Sequence, residues 1–76
     1  MKLTYDPKHN VAYFHLKEKT EQVETIQVSE ELNVDIAPDG TIYGIELLNA
    51  NEQLGQDPLV VLNEDSGQSA SIKLPL

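Results

Sequence analysis

Asp35, Asp39 and Glu46 sit close together in the middle of the chain and are the first residues whose types suggest chemistry. Carboxylate oxygens are what hard cations such as calcium bind, so these three are the candidate metal ligands. Their spacing argues against a site. The pattern D-x-[DN]-x-[DN]-G is absent, and Asp35 and Asp39 flank a Pro-Asp-Gly turn instead of wrapping it. Asp39 suits the turn itself, and Asp35 and Glu46 suit the solvent side of alternating strands. The reading is no metal, with these three as weak candidates.

Imidazole chemistry has two sources, His9 in a turn and His15 on a strand. A general base needs a nucleophile within reach, and Ser29, Ser66, Ser69 and Ser71 all fall in links or in the tail, none in a G-x-S-x-G elbow. The chain has no cysteine, which removes thiol catalysis, disulfides and thiolate zinc sites together. Gly40, Gly44, Gly55 and Gly67 are isolated, so no phosphate-cradling loop exists. No catalytic residue, no cofactor-binding residue and no cofactor are expected, and the protein is read as a non-enzyme.

The elements that would carry these residues are strands. Pro38-Asp39-Gly40 forms a turn over 37–40, because Pro38 presets φ, Asp39 bonds local backbone and Gly40 takes φ > 0 without a steric cost. Leu32, Val34 and Ile36 alternate before it, and Tyr43, Ile45 and Leu47 after it, which specifies a hairpin with strands at 32–36 and 41–48. Residues 2–5 form a short strand with Leu3 and Tyr5 on one face. A turn with Pro7 follows, then a strand over 11–16 that is partly apolar on both faces and so reads as central or partner-covered. Residues 22–28 form a weaker strand whose apolar parity switches after Val23, as a β-bulge would cause. A helix over 20–32 is the alternative, disfavoured by β-branched Val23, Thr25, Ile26 and Val28.

Gly44 lies inside a strand pattern, where glycine marks a bulge or a close approach; beside Tyr13 or Phe14 of a neighbouring strand it leaves room for a ring. Short connections make the neighbours antiparallel, so the first two-thirds reads as a meander. Residues 49–55 suit one helical turn, capped by Asn49 and stopped by Gly55. Beyond it, Asp57-Pro58 permits a short helix, whereas 59–62 and 71–74 permit a terminal hairpin, the preferred reading. The fold class is mainly β: a small antiparallel meander sheet of about five strands with a short helical or hairpin C-terminal segment. Residues 1–76 form a single small domain, with 1–50 as its core and 51–76 as an unassigned extension.

Thirteen acids against five bases give a formal charge of −8. Lys2, Lys8, Lys17, Lys19 and Lys73 are scattered and arginine is absent, so phosphate backbones and anionic bilayers repel the chain, and neither nucleic acid nor membrane is an expected partner. A basic protein partner is compatible with the charge, and so is plain solubility. No apolar run approaches the about 18 residues of a membrane span, and the N-terminus has no signal core, which points to the cytoplasm.

Tyr5-Asp6-Pro7 followed by residues 11–16 (Val-Ala-Tyr-Phe-His-Leu) resembles Y-D-P-x-x-[ND]-x-[AL]-Y-x-x-L. Residues 33–48 resemble N-V-D-x-D-x-D-G-x-[VI]-x-G-I-E-[IL]-L, except that Ala37-Pro38 replaces an acidic or polar pair. Together they resemble a family of short prokaryotic proteins known as a domain of unknown function, number 2283, over about residues 1–50. The resemblance implies a small β-rich domain with no assigned activity and no functional residues to carry over. Some members look as though they are encoded beside small toxin-like proteins, which implies an antitoxin-type role as an alternative. A charge of −8 would speed the capture of a basic toxin.

A chain of 76 residues buries only about 60% of the surface it exposes when unfolded, and small cores need disulfides, metals or self-association. With no cysteine for disulfides and only weak candidates for a metal site, a two-fold homodimer is expected, with Tyr13, Phe14 and Ile45 near its contact. The leading function is thus an acidic interaction or self-associating module. A divalent-cation or ligand-binding protein is the further alternative, and a melt with EDTA or added divalent ions separates the two.

Overall fold

The computed structural model describes residues 1–18 and 22–76. Strands β1 (Lys2–Asp6), β2 (Val11–His15), β3 (Glu24–Ser29), β4 (Leu32–Ile36) and β5 (Ile42–Leu48) form one antiparallel sheet in the order β1-β2-β5-β4-β3. A short helix α1 (Ala50–Leu54) follows, and β6 (Leu59–Leu62) pairs with β7 (Ser69–Ile72) as a separate two-stranded sheet. The protein is mainly β, as alternation and turn chemistry require. The helical turn forms within 49–55 and the hairpin follows it; Asp57-Pro58 opens no helix, and the second hairpin strand runs over 69–72 and not 71–74, because Leu59 pairs with Ile72 and Leu62 with Ser69.

One neighbour relation corrects the plain meander. β3, β4 and β5 run in sequence, but β2 pairs with β5 and not with β3. On β5 Gly44 stands opposite His15, and its missing side chain makes the space that the Tyr13 ring fills. β2 is thereby an inner strand, consistent with apolar residues on both of its faces. The bulge also sits elsewhere than its expected place: the β3–β4 register shifts between Gln27 and Ser29, leaving Val28 as the extra residue.

Turns follow from their residues. Asp6 Oδ1 accepts the N–H of Lys8 at 3.0 Å, Asp6 Oδ2 lies 2.7 Å from His9 Nδ1, and Asn10 takes φ 56°. The His9 hydrogen bond, helped by backbone N–H groups, holds the Asp6 carboxyl below its ordinary pKa. At the β4–β5 hairpin Gly40 N–H donates to Ala37 O at 2.9 Å with φ 91°, and Asp39 Oδ1 accepts Thr41 N–H at 2.9 Å. That backbone bond lowers the Asp39 pKa as well.

α1 differs from expectation in how it starts. Asn49 makes no side-chain cap; it takes a left-handed conformation, φ 51°, and turns the chain out of β5. Gly55, φ 69°, closes the helix by donating its N–H to Asn51 O. Asn10 ties this end down. Its backbone O accepts Ala50 N–H at 3.0 Å, its Oδ1 accepts Asn51 N–H at 3.0 Å and Tyr5 OH at 3.2 Å, and its Nδ2 donates to Asn51 Oδ1 at 2.6 Å. No helix of the described residues is long and apolar enough to cross a membrane.

Candidate interaction surface

Directly opposed residues of antiparallel strands share a face, so the register sorts the sheet. Leu3 opposes Phe14, Phe14 opposes Ile45, and Ile45 opposes Val34, which in turn opposes Ile26. A continuous apolar row therefore crosses all five strands. Leu32 opposite Leu47 extends it. The other face carries the row Thr4, Tyr13, Glu46, Asn33 and Gln27.

The apolar face is open. Among the described residues, Ala12, Ala37, Tyr43 and Ala50 are the buried hydrophobics, and no large side chain is fully buried. Phe14, Ile45, Val34, Leu3 and Leu47 are all only half-buried, and Ile26 is 44% exposed. The chain exposes 5892 Å², whereas a compact 8.5 kDa monomer exposes about 4,700 Å². Its radius of gyration is 13.9 Å, against about 11 Å for a compact domain of this length.

The polar face is built differently, around side-chain hydrogen bonds that cross strands. Asp35, 7% exposed, accepts a short hydrogen bond from Tyr13 OH on Oδ2 and one of 2.6 Å from Thr25 Oγ1 on Oδ1. The Tyr13 ring crosses the Gly44 backbone on the way: a Cβ placed on Gly44 would sit 2.7 Å from Tyr13 Cε1. Burial, the Asp35 hydrogen bond and the nearby charges of Asp35 and Glu46 push the Tyr13 phenol up to about 12. Glu46 accepts from Asn33 Nδ2 at 2.8 Å. The His15 ring packs edge-on against Tyr13 with centroids 4.4 Å apart, and its Nε2 lies 3.4 Å from Thr4 Oγ1.

This placement decides what the predicted residues can do together. Phe14 and Ile45 are direct partners on the apolar face, but Tyr13 points to the polar one and cannot join the same contact, since adjacent residues of a strand alternate. Asp35 and Glu46 share the polar face, each engaged with a neighbouring side chain, while Asp39 lies away in the hairpin turn. Among the described residues, no three His, Asp or Glu side chains gather as a metal site would require. His9 pairs with Asp6 in an exposed turn, far along the sheet from His15. Thr25 and Asn10 matter most among the residues that sequence reasoning passed over. Thr25 gains its meaning only from the register that sets it opposite Asp35.

Comparisons with curated proteins and with solved structures gave no match. A family model matches residues 2–51, which span the whole five-stranded sheet and the opening of α1 and stop short of β6 and β7. The Tyr-Asp-Pro turn, the Asp35–Gly44 pair and the apolar row all lie within that match. The chain belongs to the family described as Protein of unknown function (DUF2283).

Proposed function

We propose that this protein is a non-enzymatic interaction module that self-associates as a homodimer through the apolar face of its sheet. One observation carries the reading: the chain exposes about 1,200 Å² more than a compact monomer of its mass, and a standard interface takes about 800 Å² from each partner. Strands β6 and β7, exposed along their whole length, add to that excess, and the row from Leu3 through Phe14 and Ile45 to Val34 is itself partly exposed. A second copy covers it symmetrically, and each chain gains the core that it lacks alone.

Sedimentation equilibrium at micromolar concentration tests this. The expected species is about 17 kDa, twice the 8.5 kDa chain, with a melting temperature that rises with protein concentration. A species of 8.5 kDa with a cooperative, concentration-independent melt overturns it. Phe14→Glu places a charge in the centre of the row and should dissociate the dimer, whereas Gln27→Glu on the polar face should leave it intact.

A further inference from the structure

We propose that the β6–β7 hairpin of each chain lies over the apolar sheet face of a second copy, so that the two copies exchange hairpins. This rests on the self-association proposed above and names what makes the contact. A two-stranded hairpin on its own is marginal in water. Here every residue of both strands is exposed, with Val61 at 58% and Ile72 at 56%.

The register divides the hairpin into two unlike faces. Leu59 opposes Ile72 and Val61 opposes Ala70, giving one face that is apolar throughout. Val60 opposes Ser71 and Leu62 opposes Ser69, giving a face that is half hydroxyl. The first face is the one that needs cover. It carries no charge, and charged Asp57, Glu64, Asp65 and Lys73 all lie beyond the strand ends. Two chains of −8 each repel, so their contact must form where both surfaces are uncharged. The centre of the sheet row, Phe14, Ile45 and Val34, meets that condition, and within one chain it stays partly exposed although the hairpin is present. Reciprocal exchange covers two hairpins and two sheet faces in a closed two-fold assembly.

The absence of native cysteine permits a direct test by disulfide trapping in the full chain. Val61→Cys protein is mixed with Ile45→Cys protein under mild oxidation, with Val60→Cys as the companion on the opposite hairpin face. The double variant carrying both Val61→Cys and Ile45→Cys is oxidised separately. The expected result is a mixed disulfide of about 17 kDa from Val61→Cys with Ile45→Cys, at least about tenfold more than from Val60→Cys with Ile45→Cys. Oxidation of the double variant to an 8.5 kDa species closed within one chain would show the hairpin folding back on its own sheet and would overturn the exchange. A dominant disulfide between two Val61→Cys chains would place hairpin against hairpin and overturn it too. A dimer by sedimentation that forms no mixed disulfide removes the exchange and leaves the self-association standing; a monomer removes both.

Discussion

The Tyr13 ring lies across the backbone of Gly44, in the space that any side chain there would fill, and reaches Asp35 on the next strand. Glycine in a strand interior costs conformational entropy and contributes no packing. Here it allows an inner strand to send a phenol over its neighbour to a buried carboxylate. The same contact ties β2 to β5, the strand it pairs with.

Gly44→Ala should therefore destabilise the fold by about 1–3 kcal/mol, as overpacking does, because the displaced ring is held by Asp35. Urea denaturation measures it. Adding Tyr13→Ala to Gly44→Ala should cost less than the two single changes combined, since the alanine methyl then meets no ring. Strict additivity would show that the crowding is relieved elsewhere.

Alkaline pH should act through Tyr13. Its phenol titrates near 12 in the folded chain and near the ordinary value of 10 when unfolded. The raised value means that the folded state holds the proton longer. Its stabilising contribution is complete below pH 10 and is lost as pH rises from 10 through about 12. Denaturant midpoints across that window should fall more steeply for the parent than for Tyr13→Phe. Parallel slopes would place the effect on other groups.

Asn10 joins a left-handed backbone to a side-chain clamp on α1. Asn10→Ala loses both and should cost about 1–3 kcal/mol, the range for abandoning paired polar groups. Asn10→Gly keeps the conformation and loses only the clamp, so its deficit should be smaller. Hydrogen exchange at the Ala50 and Asn51 amides should speed up in both variants.

Gly40 offers the contrasting case, with φ 91° and open space around it. Gly40→Val should be destabilising by more than about 1 kcal/mol, through backbone strain alone. A chemical-denaturation midpoint equal to that of the parent would show that the turn adopts another form.

Salt separates self-association from capture of a basic partner. Raising ionic strength from about 0.01 to 1 M shortens the screening length from about 30 to 3 Å. Dimerisation of two acidic chains should tighten with salt, because screening removes their repulsion. Sedimentation across a salt series reads the change, and weakening would point to attraction between opposite charges.

Much of the fold is written in local residue order. Alternation at 32–36 and 41–48 specifies two strands whose apolar sides agree, and Pro38-Asp39-Gly40 specifies their turn, because both effects act within a few bonds. The helical turn after Asn49 and the tail hairpin are legible for the same reason, and the place beside Gly44 for a ring follows from its missing Cβ. Nothing local could decide that β2 would dock on β5. Nor could it set Thr25 opposite Asp35, or Phe14 opposite Ile45. Those relationships join residues far apart in sequence, and only register, which is settled when whole strands pair, brings their side chains together. The open apolar face is likewise a tertiary result: each of its residues reads as core along the chain, and the sheet leaves them partly uncovered.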